Sequence, residues 1–246
     1  MDETSGHEEE KIALAAALRH HLQDAQILRE RANAEGDGAG ARDRLRLRDW
    51  QAARLARCYT ELLASERYGR AAQFFLSDLY GPKDFSSRDE EVGRILPTLV
   101  RMLPASALRT LALALELDAL TEALDAAMVG ELRAAGRIAT IDEDAYAAAY
   151  RRVGRRAERE RQIALIRGTG EALEKLAGKA VLSGVLRLMR RPAHLAGLGE
   201  LQEFLENGFA AFRHMGDATD FLGCIETRER QLLARLFDGS ATPFSL

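Results

Sequence analysis

Apolar residues recur at three- and four-residue steps along almost the whole chain, a spacing that predicts amphipathic helices. The first runs from about Glu8 to Ala32 on Ile12, Leu14, Leu18, Leu22, Ala25 and Leu28. Asn33 to Gly40 (NAEGDGAG) stops it. Its glycines and small polar residues lose much entropy on ordering and bury little, which predicts a flexible linker. A second helix, about Arg42 to Tyr68, carries Leu47, Trp50, Leu55, Cys58, Leu62 and Leu63. A short apolar helix with Phe74, Phe75, Leu79 and Tyr80 must end near Gly81-Pro82, because proline has no amide donor and biases its predecessor away from the helical region.

Ser87 followed by Glu90 matches a capping box, and Val92, Ile95, Leu96, Leu99, Val100 and Leu103 form the stripe behind it, with Pro97 predicting a kink or break. From Pro104 to about Ala135 leucines cover more than one face, so this should be the central, most buried helix. Thr140 with Glu143 reads as a second capping box, opening a helix with Tyr146, Tyr150, Val153, Ala157, Ala164 and Leu165 on one side and arginines on the other. Gly168 to Gly170 interrupts, Leu173 to Met189 follows, and Arg191-Pro192 ends it. Leu198 to Met215 and Ala218 to Phe237 are parted by Gly216, a stop, and Asp217, an N-cap, which makes a tight helical hairpin. No segment alternates with a two-residue period and no fixed repeat is visible. The expected fold is all-α, a single-domain bundle of eight or nine helices without a sheet. An acidic mobile tail occupies residues 1–10, the N-terminal helix and linker 11–40, the helical core 41–237 and a C-terminal tail 238–246.

At 246 residues, 47% of them hydrophobic and 30% charged, the chain can bury a sizeable core. A net charge of -3 gives no overall attraction to phosphate backbones or anionic lipid, so nucleic acid is not an expected partner without a local basic face. All but four of the 35 basic residues are arginine, which with the abundant alanine reads as compositional bias. Cys58 and Cys224 belong to no metal-ligand spacing and read as buried reduced thiols. The acidic N-terminus and the absence of an apolar run near the ~20 residues that span a bilayer predict a cytoplasmic protein with no membrane partner.

The segment Gln73 to Pro104 compresses aromatics, a Gly-Pro break and charge pairs into a short stretch. In one reading Asp78, Asp84, Arg88 and Asp89 edge a pocket walled by Phe74, Phe75, Tyr80 and Phe85. In the other, Arg88 pairs with Asp84 or Asp78 to fix the turn while the aromatics enter the core, the commoner fate of buried polar groups. FFLSDLYGPKDFSSRD resembles a motif, FFL-x-x-LYGP-x-DF-x-x-RD, that recurs in a group of uncharacterised bacterial all-helical proteins. The resemblance extends loosely through Glu116 to Asp125 and Asn207 to Met215, and it implies no activity.

Asp118, Glu122 and Asp125, spaced i, i+4, i+7, put three carboxylates on one stripe of the most apolar helix. A carboxylate-bridged metal centre would need Glu-x-x-His pairs, which the five histidines do not provide. Pairing with arginines such as Arg151, Arg152 or Arg155 is the expectation. The arginine run from Arg151 to Arg161, with Arg187, Arg190 and Arg191, could line a basic groove, but Glu158 and Glu160 dilute it and no aromatics are interleaved, so a solvated or internally paired face is expected. His20, His21 and His214 lack any haem-attachment or triad context, and Gly168-Thr169-Gly170 lacks the strand a dinucleotide loop requires. No catalytic, cofactor or metal residue is assigned, and no cofactor is expected. The reading is a binding or assembly module acting through protein contacts or self-association, using the first helix or a hairpin surface with Phe209, Phe212 and His214. The alternative is a helical protein, or an enzyme, holding a small apolar or aromatic ligand near the 73–104 motif. A closed interior favours the first, and a cavity of several hundred Å3 with convergent Asp, Arg or His side chains favours the second.

Overall fold

The computed structural model describes residues 2–79, 86–178 and 180–245. Among them the chain forms eleven α-helices and no strand: α1 (Asp2–Ala34), α2 (Ala39–Cys58), α3 (Thr60–Ala64), α4 (Gly69–Phe74), α5 (Ser86–Met102), α6 (Ala105–Ala134), α7 (Glu143–Val153), α8 (Arg156–Ala177), α9 (Ala180–Leu195), α10 (Gly199–Met215) and α11 (Thr219–Phe237). A 3-10 turn, Gly36–Gly38, joins α1 to α2, and a π-helical turn, Phe75–Leu79, extends α4.

Eleven helices replace the eight or nine expected, for local reasons. The stretch read as one helix from Arg42 to Tyr68 breaks at Tyr59, whose φ of -123° and ψ of 29° leave the helical region. The helix expected to start at Thr140 is capped instead by Asp142, whose carboxylate accepts the Ala145 amide at 2.8 Å. It ends at Gly154, where the chain takes a φ of 65°, and α8 restarts after Arg155. Gly168 to Gly170, by contrast, lies inside α8. A Cβ on Gly170 would come within 2.4 Å of Leu222 Cδ2, so this glycine lets α8 and α11 approach closely. α5 runs through Pro97 and α9 through Pro192. Each proline removes one helical hydrogen bond, and for α5 the seating of Val92 and Leu96 against Leu18 and Leu22 of α1 outweighs that loss.

The core has three regions. Leu18 and Leu22 of α1, Val92 and Leu96 of α5, and Leu108 and Leu115 of α6 form the first. The second joins α2, α6, α7 and α11 through Leu47, Met128, Leu132, Tyr146, Tyr150, Leu232 and Leu236. In the third, α3 and α4 meet the α10–α11 hairpin at Leu62, Phe74, Phe212, Met215, Phe221 and Leu222. Cys58 and Cys224 are half-buried free thiols at its edge. The hairpin turns at Gly216, whose φ of 73° suits glycine, and Arg67 donates to the carbonyls of Met215 at 3.0 Å and Asp217 at 2.8 Å, satisfying acceptors the end of α10 leaves open.

α1 is a core helix. It starts at Asp2 and lies along α6, the two running parallel, since Glu10 pairs with Arg109 near one end and Arg29 with Asp118 near the other. Where a flexible linker was expected, the 3-10 turn brings α2 back against α1 so tightly that a Cβ on Gly40 would stand 2.3 Å from the Ala32 carbonyl oxygen. Backbone cannot step aside as a side-chain tip can. Gly40→Ala is therefore expected to lower stability by about 2 kcal/mol or more, read from the urea midpoint; an unchanged midpoint would mean that α1 and α2 do not meet this way in solution.

Candidate functional site: a buried cavity beside an ion-pair stripe

The carboxylate stripe of α6 turns inward. Glu122, 1% exposed, faces three arginines: Arg29 at 2.9 Å, Arg44 at 3.2 Å, and Arg48 in a short contact. Asp118 takes Arg29 Nη2 on both oxygens, at 2.8 and 2.9 Å. Asp125 accepts from the Gln51 amide at 3.0 Å and lies 3.5 Å from Arg48 Nε. The partners thus come from α1 and α2, where Arg44, Arg48 and Gln51 repeat the i, i+4, i+7 spacing of the acids. They are not the arginines expected: Arg151 donates to the Leu236 carbonyl, Arg152 to Glu131, and Arg155 to Glu158 and the Ala123 carbonyl. Burial acts to raise the Glu122 carboxyl, but Arg48, Arg29 and Arg44 outweigh it and hold the group below its ordinary range. For Asp125 burial prevails over Arg48 and Gln51 and pushes the carboxyl up.

Next to Asp125 lies a pocket of about 120 Å3 lined by α2, α6, α7, α8 and α11, with residues of α3, α4 and the π-helical turn also in its wall. Its apolar wall includes Phe75, Leu76, Ile163, Ile166, Phe221 and Ile225. Its polar wall is Gln51, Arg54, Tyr59, Thr121, Asp125, Tyr146, Tyr150, Arg159, Gln162 and Glu229. Most of these groups answer one another. Arg54 Nη1 donates to Glu229 at 2.7 Å, the Tyr59 hydroxyl to the same carboxylate at 2.8 Å, and Gln162 to Thr121 at 2.8 Å. Burial, reinforced by the Glu229 charge, pushes the Tyr59 phenol far up, and burial does the same to Tyr150, so both stand in the wall as neutral phenols.

Arg54 at Nε and Arg159 are exceptions. Arg159 is 5% exposed and its guanidinium stacks over the Tyr150 ring at 4.5 Å. Its Nε and Nη2 are buried with no hydrogen-bond partner among the described residues. Within the wall two arginines, Arg54 and Arg159, stand with two carboxylates, Asp125 and Glu229, and the Arg159 charge acts on Asp125. A buried donor without an acceptor costs about 1–3 kcal/mol, more when charged, and this protein holds two on one side chain.

The residues singled out from sequence scatter. Phe75 lines the cavity, while Phe74 packs behind it in the third core region against Gly208 and Phe204. Tyr80, Asp84 and Phe85 lie outside the described residues, as do the side chains of Asp78, Arg88 and Asp89. Phe212 is not on the hairpin surface; at 1% exposed it is core, packed on Phe75, because α10 turns that face toward α4. Phe209 is half-buried, and exposed His214 sets Nε2 2.9 Å from the Glu66 carbonyl, which makes that nitrogen the donor. Arg54, Arg159 and Glu229, the charged members of the cavity wall besides Asp125, were not anticipated. For Arg159 a signal existed: it shares a helix face with Ile163, Ile166 and Gly170. Among the described residues no three His, Cys, Asp or Glu side chains form a metal-ligand group, and no helix is long and apolar enough to cross a membrane.

No curated protein and no solved structure matches the chain. A family model described as a domain of unknown function (DUF8198) matches residues 30–243, which takes in the last turn of α1, the ion-pair stripe apart from Arg29, and every residue that lines the cavity. The chain belongs to that family.

Proposed function

We propose that the protein is a small-molecule binding protein whose ligand sits in the cavity between α2, α6, α7, α8 and α11. The observation that carries this is a pocket whose lining is largely apolar yet brings together the charged side chains of Arg54, Asp125, Arg159 and Glu229. At about 120 Å3 the cavity is smaller than drug-sized sites of roughly 300–1,000 Å3. It compares with the engineered apolar cavity of about 150 Å3 that accepts benzene, so the ligand is of that order. The Tyr59 hydroxyl meets the Glu229 carboxylate, but Arg54 holds that carboxylate and burial keeps the phenol neutral, and the reading is of binding rather than covalent chemistry.

A second reading, assembly through protein contacts, is supported by Leu188 and Leu195, which lie i, i+7 on α9 and are 78% and 90% exposed. Native mass spectrometry of the full chain, purified without added ligand, separates the two. The cavity reading expects a small-molecule adduct on the 27.2 kDa chain, or one formed on adding small organic molecules. Assembly expects a multiple of that mass. A bare monomer that takes up nothing rejects both.

A further inference from the structure

We infer that the outer face of α9 docks on an anionic lipid surface. Such docking is independent of any ligand in the cavity, and it gives the leucines of α9 a different partner from the one the assembly reading supplies. α9 has two opposite apolar faces. The inner one buries Ala193 and half of Leu186 and is tied to α10, where Gln202 donates to the Leu186 carbonyl at 2.7 Å and Glu206 accepts from Arg190 Nε at 3.0 Å. Arg94 of α5 donates to the Ala196 carbonyl at 3.0 Å, just past the end of the helix. The helix is thus held in place by its inner face and its end. On the outer face Leu188, Pro192 and Leu195 stand at i, i+4 and i+7, all exposed, with exposed Met189 on one border. Arg187 and Arg191, four apart and exposed, line the other border. Of the arginines on α9 only Arg190 forms an ion pair among the described residues.

A chain of net charge -3 is not drawn to anionic lipid as a whole, so the attraction has to be local. α9 supplies it: between Glu174 and Glu200 stand Lys175, Lys179, Arg187, Arg190 and Arg191 and no acid. Leucines beside unpaired cations on one side of a helix are the pattern of a helix lying in the membrane interface. The apolar side chains enter the acyl boundary while the guanidinium groups reach back to phosphate oxygens, which they grip with two hydrogen bonds. A second copy of the chain matches this face less well. In a two-fold contact along α9, Arg191, between Leu188 and Leu195, would meet its own counterpart, and like charges oppose the pairing. Leu195, 90% exposed, also projects from the surface rather than lining a groove. A fluid acyl layer accepts a projecting side chain without a matching hollow. Two leucines and two arginines make a reversible contact, not an anchor.

The test is flotation of the full chain with vesicles of phosphatidylcholine alone and of an equal mixture of phosphatidylcholine and phosphatidylglycerol. The protein should float with the mixed vesicles and stay behind with the neutral ones. Replacing both leucines (Leu188→Ser with Leu195→Ser) or both arginines (Arg187→Gln with Arg191→Gln) should weaken the partition by about tenfold or more. Added salt should weaken it too. All four side chains are exposed, so the variants should keep the wild-type urea midpoint. No flotation with either vesicle, or equal flotation with both, overturns the inference, and this wild-type comparison decides even if a variant fails to fold. Flotation that survives the loss of both leucines overturns it as well. Capture on immobilised poly-L-glutamate without flotation overturns it in favour of an acidic protein partner. A dimer that the leucine exchange splits, without flotation, gives the face to a second copy. The cavity reading stands or falls separately, on adduct formation.

Discussion

Glu122→Ala is expected to lower the unfolding free energy by about 3–5 kcal/mol, the largest effect of any single substitution proposed for this protein. Glu122 stands at the centre of the stripe, with Arg29, Arg44 and Arg48 on it and almost no solvent contact. Removing it leaves three buried guanidinium groups with only Asp118 and Asp125 between them, and the loss reflects stranded charge more than the value of any one contact. Glu122→Gln, which keeps an acceptor oxygen, should lose less. Urea unfolding followed by circular dichroism measures both, and a Glu122→Ala midpoint equal to wild type would mean the stripe is not buried in solution. The pH dependence has a fixed sign. The folded Glu122 carboxyl is held below its ordinary value of about 4.5, so its contribution is complete above that value and is lost as the pH falls through the lower folded one. Asp125 acts oppositely: its carboxyl is raised, so its contribution is complete below about 3.8 and is lost as the pH rises through the raised value. Glu122→Gln should flatten the acid side of the stability profile.

Glu229→Ala is expected to cost about 3 kcal/mol or more, although its side chain is partly reachable by solvent. This carboxylate ties α11 to α2 by accepting Arg54 Nη1 at 2.7 Å and the Tyr59 hydroxyl at 2.8 Å. Without it the Arg54 guanidinium is left buried with no anion at its end and the phenol loses its acceptor. If stranded charge is the cause, the paired replacement Arg54→Met with Glu229→Leu should recover most of the loss, because apolar side chains of similar size need no partners there. A double-mutant cycle reads this directly, and simple additivity of the two single losses would show that the pair does not interact.

The acids of α6 were visible in the sequence because carboxylates at 118, 122 and 125 interrupt an apolar helix at helical spacing. Their partners were visible in principle as well. Arg44, Arg48 and Gln51 repeat that spacing on α2, and two polar stripes of equal period and opposite charge are a reason to pair two helices. Arg151, Arg152 and Arg155 do not meet those acids because Arg151 and Arg152 lie on the exposed face of α7 and Arg155 is exposed in the turn before α8. Phe212 was misplaced for a related reason: a hairpin read by itself has two apolar faces, and only the arrival of α4 buries one. The cavity wall was least legible. Arg54 and Glu229 are 175 residues apart, and nothing local to either marks them as neighbours.

Helical class, the central place of the helix from Ala105 to Ala134, the turn at Gly216 and the inward acids follow from the sequence alone, because periodicity, proline and glycine act within a few residues of themselves. The tight α1–α2 turn, the passage of α5 and α8 through Pro97 and Gly170, and the meeting of Arg54, Arg159 and Glu229 around one space were decided by the tertiary structure. Each depends on what a distant helix places opposite, and burial energy summed over such contacts exceeds the local preferences it overrides.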